Sequence, residues 1–320
     1  MSYKVLIPQD IAEEGKEFLL KRGYEIKMGS GTTEADMIRD VADCDAILLR
    51  TAKVSKSVLE AGSNLRIVAR HGAGYNNVDI DAASELGIWV TNAPDSTTIS
   101  VAEFTMGAIL AAAKRTFLLA NALKEGNFDY KNSHKGVDLY QKTLGIIGLG
   151  RIGREVAKKA SLGFDMKVIA YAPRAEKETL PDYVALADWE QVFRESDFIS
   201  LHVPLTKETN QMVGSREFDW MKDTSYLINC ARGEVVCEAD LIEALEKKKI
   251  AGVFADVLEQ EPPARDNPLF AMEHAVVTPH MASNTQECMV KMAVQAASQI
   301  DLVLSGKAPS WPVNQPMLKK

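Results

Sequence analysis

The sequence predicts an α/β protein built from two Rossmann-like domains with parallel sheets, one of them discontinuous in sequence. Three observations carry this expectation. Short β-branched runs alternate with helix-compatible stretches from the N-terminus onward; the same rhythm restarts near residue 143; and a last helical stretch follows the second set of strands with no strand after it. Strands separated by helices pair in parallel, because the crossover returns the chain to the same end of the sheet.

In chain order, the first strands are expected at Lys4–Ile7, Ala46–Leu49, residues 67–69 and Trp89–Thr91, with helical stretches such as 11–22 between them. Residues 101–124 form one long helical pattern opened by Ser100, with Glu103 three residues on in capping-box spacing, and are expected to cross between domains. The second set of strands falls at Thr143–Ile147, Lys167–Tyr171, 198–202, 225–229, 251–255 and 275–278. The helical stretch 285–304 is expected to return to the first domain. Residues 1–99 with 286–320 then make one domain and 100–285 the other.

Composition bounds the function. A chain of 320 residues with 46% hydrophobic and 25% charged side chains fits about two globular domains. Its net charge of -7 argues against a nucleic-acid partner, which needs a basic surface, so an anionic substrate must be held by local charges. Cys44, Cys230, Cys237 and Cys288 form neither a C-x-x-C pair nor a zinc-spaced cluster, and read as free thiols with no metal site. The chain opens on a strand with no basic leader, and its most apolar stretch, 101–123, is interrupted by Lys114 and Arg115. The expectation is a cytoplasmic protein with no membrane partner.

LGIIGLGRIG (144–153) is an apolar strand running into G-x-G-x-x-G at Gly148, Gly150 and Gly153, with a helix expected from Arg154. Gly148 suits a tight turn, Gly150 lets the backbone approach a pyrophosphate, and Gly153 lets the helix pack on the strand. Strand, turn, helix and next strand fall in the order of a dinucleotide site, although this element alone also serves flavin or S-adenosylmethionine sites. Where a ribose-binding acid usually stands, after the strand ending at Tyr171, the chain has Ala172, and Arg174 follows.

Three polar residues lie just beyond strand ends of the second sheet, where ligands of open α/β sheets bind: Arg232, Glu261 and His280. Reduction of a 2-oxo acid needs a proton donor beside the carbonyl oxygen, a cation for the carboxylate and the carbonyl, and an acid that orients the donor. His280, Arg232 and Glu261 suit those roles. Each also has a purely structural reading: an arginine pairs with a local acid, and a lone histidine before a loop is a packing residue.

The segments ARHGAGYNNVD (69–79), GLGRIGREVA, DFISLHVPLT (197–206), NCARG (229–233), DVLEQEPP (256–263) and TPH (278–280) together resemble the D-isomer-specific 2-hydroxyacid dehydrogenase family over nearly the whole chain. The resemblance implies an NAD(P)-dependent oxidoreductase acting on the CH-OH group of a small 2-hydroxy acid. It assigns Arg232 to the substrate carboxylate and carbonyl, His280 to acid/base chemistry and Glu261 to orienting His280. Cofactor contacts are implied at Gly148, Gly150, Arg151, Ile152, Gly153, Ala172, Arg174, Val203, Pro204, Cys230, Ala231 and Asp256. The loop His71, Gly72, Ala73 and Gly74 would offer amides to the substrate carboxylate, with Arg50 and Arg70 as further anion contacts.

The family's architecture implies a substrate cleft between two domains and a homodimer through the nucleotide-binding domain, with the 101–123 helix as the interface. An added C-terminal sensing domain is not expected. Ala172 and Arg174 favour NADP over NAD. Glu261, where the formate-specific branch has glutamine, disfavours formate and leaves 3-phosphoglycerate, hydroxypyruvate or glyoxylate, or a 2-keto sugar acid. A nicotinamide-sensing corepressor-like interaction protein shares the fold and is the alternative.

Overall fold

The computed structural model of the chain describes residues 2–176 and 180–317. It divides into two compact units, residues 1–97 with 284–320 and residues 98–283.

The first unit contains β1 (Lys4–Ile7), α1 (Glu13–Leu20), β2 (Glu25–Met28), α2 (Glu34–Val41), β3 (Ala46–Leu49), α3 (Lys56–Ala61), β4 (Ile67–Arg70), α4 (Ile80–Glu85), β5 (Trp89–Thr91) and, from the chain's far end, α11 (Gln286–Leu304). Its sheet has the order β2-β1-β3-β4-β5, all parallel. Both faces are buried, so the strands read as continuous apolar runs. Leu6, Ile47, Leu49 and Val68 join one core with α2, α3 and α4; Val5, Ile7, Ala46, Leu48, Ile67 and Ala69 join the other with Ala293, Ala296, Ala297 and Ile300 of α11. Thr285 caps α11 by accepting from Cys288 N. Strand β2 was not expected: it is an edge strand of exposed and half-buried residues, EIKM, which lacks the apolar run of its neighbours.

The second unit contains α5 (Thr98–Ala113), α6 (Thr116–Lys124), β6 (Thr143–Ile147), α7 (Arg151–Phe164), β7 (Lys167–Tyr171), β8 (Val184–Leu186), α8 (Trp189–Glu195), β9 (Phe198–Leu201), α9 (Ser215–Trp220), β10 (Tyr226–Asn229), α10 (Glu238–Glu246), β11 (Gly252–Ala255) and β12 (Ala275–Val277). The parallel order β12-β11-β10-β9-β6-β7-β8 reverses between β6 and β9, the switch point at which doubly wound sheets bind ligands. The three-residue edge strand β8 was also not expected. Helices α5 and α7 cover one face, and α8, α9 and α10 the other.

The single helix expected over 101–124 is two helices. Arg115 adopts a left-handed conformation (φ 52°) and the pair is bent by 60°. The helix also begins at Thr98, so Ser100 lies inside its first turn and is not the cap. Helix α5 is largely apolar because most of it is buried, with Val101, Ala102, Met106 and Ile109 in the core and Glu103 left exposed. Among the described residues, no single helix is long and apolar enough to cross a membrane.

Candidate active site

The turn after β6 brings the glycine fingerprint to the switch point. Gly148 has φ 94°, and its N–H donates to Tyr171 O at 3.0 Å. A Cβ at Gly148 would lie 2.6 Å from His202 O, and one at Gly153 would lie 2.2 Å from Gly148 O. A Cβ at Gly150 would meet nothing within 4 Å. Two glycines therefore serve close packing, and the middle one keeps space open over the start of α7. That helix begins at Arg151, earlier than the expected Arg154, with Gly150 as its N-cap. A pyrophosphate fits such an end, where amides point outward and the helix dipole favours an anion. Ile152 packs against the core beneath.

The other residues expected around a cofactor lie on neighbouring strand ends. Ala172 follows β7 and packs partly against the core. Beyond it, the charge of Arg174 acts on Glu208, whose carboxyl is held below its ordinary value mainly by the Thr206 hydroxyl and its own backbone amide, with Arg174 adding to the effect. Of the two acids that the sequence offers as partners of Arg174, Glu176 and Glu178, the second lies outside the described residues. Val203 and Pro204 follow β9, and Pro204 O accepts from Thr209 Oγ1 at 2.6 Å. Cys230 is buried, and that burial pushes its thiol up to about 12, so it is an unreactive packing group.

Arg232, Glu261 and His280 all lie beyond the C-terminal ends of the adjacent strands β10, β11 and β12. Glu261 Oε2 and His280 Nδ1 are 2.8 Å apart. An ionised carboxylate only accepts, so Nδ1 carries the proton in this pair and Nε2 is the nitrogen left to react. Burial raises the Glu261 carboxyl, but the hydrogen bond and charge of His280, the Leu258 amide and the charge of Arg232 together outweigh it and the net shift is downward. Leu258 N donates to Glu261 Oε1 at 3.2 Å.

Arg232 is half-buried. Burial lowers its guanidinium below the ordinary value, opposed by the charges of Glu234 and Glu261. The turn that carries it is set by Asn229, whose Nδ2 donates to Arg232 O at 2.9 Å and whose Oδ1 accepts from Ala231 N at 3.0 Å.

Asp256, expected near the cofactor, sits beneath the His280 loop and is 1% exposed. Its carboxylate accepts from Thr278 Oγ1, Met281 N and Ala282 N at 2.5, 2.9 and 2.7 Å, while its carbonyl accepts from His280 N at 2.8 Å. These bonds hold His280 at φ 50°, a left-handed conformation that costs a histidine energy and persists only where its surroundings enforce it. Sequence reasoning placed the histidine but missed this support, because apart from the Thr278 hydroxyl the partners are backbone amides that no side-chain pattern reveals.

In the first unit, the loop expected to meet a carboxylate follows β4. Two of its amides are already committed: His71 N donates to Leu49 O at 2.7 Å and Gly72 N to Arg70 O at 3.0 Å. Asn92 Nδ2 holds Ala73 O at 2.7 Å. Arg50 Nη1 donates to Asp10 O at 2.6 Å, and Arg70 donates to Asn77 and to His71 O. Among the described residues, the Ala73 and Gly74 amides of the expected set are not tied into these turns.

The His71 side chain turns inward. It is 4% exposed, and its Nε2 has no hydrogen-bond partner among the described residues. Burial, then the charges of Arg50 and Arg70, lower it from 6.5 to about 4, so the ring is neutral at pH 7. The unfolded chain therefore binds a proton between these pH values that the folded chain does not. Stability from this group is complete above pH 6.5 and is lost as the pH falls toward 4. The loss is on the order of 3 kcal/mol. Urea unfolding from pH 7 to pH 4.5 should show a shallower decline in His71→Gln than in the parent; equal slopes would remove His71 from the account.

The chain matches the family model described as D-isomer specific 2-hydroxyacid dehydrogenase, NAD binding domain, over residues 106–282. It is 39% identical over 318 residues to a D-3-phosphoglycerate dehydrogenase of Archaeoglobus fulgidus, covering 99% of this chain and 60% of that relative. It therefore spans under two thirds of that relative's length. A glyoxylate reductase of Korarchaeum cryptofilum is 38% identical over 330 residues, covering 100% of this chain and 98% of the relative. Among solved structures, a protein of Thermus thermophilus superposes with a TM-score of 0.89 at 32% identity, covering 97% and 100% of the two chains. With its fingerprint turn and its Glu261–His280 pair on one doubly wound sheet, the chain belongs to the D-isomer specific 2-hydroxyacid dehydrogenase family.

Proposed function

We propose that this chain interconverts a small 2-oxo acid and its 2-hydroxy acid, with a nicotinamide cofactor held by the β6–α7 turn. The observation that carries the reading is the 2.8 Å pair of Glu261 and His280 beside Arg232, at the ligand-binding end of a sheet whose fingerprint turn leaves Gly150 open. The nicotinamide, when bound, supplies the hydride that reaches the carbonyl carbon. His280 Nε2 gives the carbonyl oxygen its proton, and Glu261 holds the ring by Nδ1 and stabilises the charge it carries beforehand. Arg232 holds the substrate carboxylate and polarises the carbonyl. The dehydrogenase and reductase names of the relatives support this reading over a corepressor-like one.

In the first unit, Arg50, Arg70 and the Ala73 and Gly74 amides are the proposed anion contacts. Nicotinamide absorbance, followed with glyoxylate, hydroxypyruvate, pyruvate, 2-ketogluconate and 3-phosphohydroxypyruvate and with both cofactors, tests the activity and its substrate range. Absence of turnover with all of them would overturn it. The proposed homodimer contact is the stretch 101–123, on which Phe117 and Leu123 of α6 are exposed apolar side chains. Sedimentation velocity checks this.

Preference for NADP over NAD forms a finer part of the proposal. Ala172 removes the acid that would accept from the ribose hydroxyls and repel a 2′-phosphate, and Arg174 follows it. Glu176 and Glu178 are the acids near it in sequence that compete for that guanidinium, and its charge also acts on Glu208. Arg174→Ala is expected to lower kcat/KM for NADPH roughly ten- to a hundredfold and to leave NADH nearly unchanged. A parent that prefers NADH, indifferent to the substitution, would refute the assignment.

A further inference from the structure

We infer that Glu238, in the first turn of α10, is a positioning residue that sets the Glu261–His280 pair. This rests on the acid/base reading of that pair given above. Glu261 lies on residues 256–267, a stretch without helix or strand that connects β11 to the short 3-10 turn Pro268–Ala271. Such a stretch keeps its shape only where its polar groups are pinned.

One carboxylate pins it on both sides of Glu261. Glu238 Oε2 accepts from Glu259 N at 3.0 Å, and Glu238 Oε1 accepts from Asn267 Nδ2 at 2.7 Å. Asn267 cannot turn its amide over without loss, because its Oδ1 accepts from Leu269 N at 3.0 Å and caps the 3-10 turn. The contact at Glu259 is reciprocal: Glu238 N donates to Glu259 Oε2 at 3.4 Å, and Gln211 Nε2 reaches Glu259 Oε1 at 3.0 Å.

The clamp reaches the catalytic groups through short links. Leu258, next to the pinned Glu259, gives its amide to Glu261 Oε1. Leu258 also packs against the turn that carries Arg232: a Cβ on Gly233 would lie 1.9 Å from Leu258 C and O, so only glycine lets the two backbones meet. Displacing residues 258–259 would therefore move the carboxylate that holds His280 Nδ1 at 2.8 Å. The charged groups facing that pair are Arg232, with Glu234 acting on it, and the buried Asp256 beneath the His280 loop.

A plainer role exists for an acid in the first turn of a helix, which is favourable with the helix dipole wherever it points. That role predicts a small change in stability and none in the chemistry. The positioning role predicts a change in the pH profile. Glu238→Gln leaves one oxygen to accept and turns an NH2 toward the second donor, so one of the two bonds must break. Adding Asn267→Asp restores the pattern: the new carboxylate accepts from the new amide with one oxygen and from Leu269 N with the other.

The test is the pH dependence of kcat/KM for glyoxylate reduction by NADH in the parent, Glu261→Gln, Glu238→Gln and the Glu238→Gln/Asn267→Asp double variant, with NADH affinity measured by fluorescence. Reduction needs a protonated imidazole, so the rate falls on the alkaline side. Glu261→Gln should move that limb down, because the ring loses the charged acceptor at Nδ1 that favours its protonated form. Glu238→Gln should move it in the same direction by less, at unchanged NADH affinity, and the double variant should return it. A limb unmoved in Glu238→Gln while Glu261→Gln shifts it overturns the positioning role. A limb unmoved in Glu261→Gln overturns the reading of the pair itself. Should Glu238→Gln fail to fold, Glu238→Asp decides, because the shorter side chain cannot reach both Glu259 N and Asn267 Nδ2: a limb moved down supports the clamp and a parental limb refutes it.

Discussion

His280→Ala should lower kcat for 2-oxo acid reduction by about two to four orders of magnitude, the range a positioned general acid supplies. The nicotinamide affinity should change little, because the imidazole lies beyond β12 while the turn proposed to hold the cofactor's phosphates follows β6. The loss should be largest below the alkaline limb of the parent profile, where the imidazole carries its proton, and the variant's remaining rate should be nearly independent of pH. Steady-state kinetics from pH 5 to 9, with NADH binding followed by fluorescence, distinguish this from general damage. A variant with parental kcat would remove His280 from the chemistry.

Arg232→Lys should cost kcat/KM on the order of a hundred- to a thousandfold, with KM raised and kcat lowered together. A guanidinium offers two parallel donors to a carboxylate and can meet the carbonyl oxygen from the same plane, whereas an ammonium is a point charge on a shorter reach. The half-buried setting adds to the cost, since a cation drawn from water there needs the partners it was built for. A lysine variant with near-parental kcat/KM would leave Arg232 as an internal pairing residue only.

Much of this architecture was legible in the sequence because most strands are buried on both faces. KVLI, AILL and TLGII are unbroken apolar runs, and their ends were placed correctly at Lys4–Ile7, Ala46–Leu49 and Thr143–Ile147. The edge strands β2 and β8 were not legible, since EIKM is half polar and VAL is three residues long. Residues 98–124 keep a helical pattern through the break, and the bend depends on the left-handed backbone of Arg115, a residue type that gives no warning of it. In the site, Arg232, Glu261 and His280 were visible because each follows a readable strand. The supports at Asp256, Asn229 and Glu238 were not, because each acts through main-chain amides or loop residues brought together only by the fold. His71 was expected to offer its amide to a ligand; that amide donates to Leu49 O and the side chain points inward, neither of which a loop sequence carries.

The return of α11 to the first unit bears on how the chain is made. Residues 98–283 are contiguous and can assemble as soon as they leave the ribosome, but the N-terminal sheet lacks the cover for one face until residues 286–304 have been synthesised. At ordinary elongation rates, that interval is on the order of ten to forty seconds. Throughout it, Val5, Ile7, Ala46, Leu48, Ile67 and Ala69 lack the Ala293, Ala296, Ala297 and Ile300 side of their core. Of the two units, the one begun first is thus the last to be finished, with one face of its sheet bare through that interval.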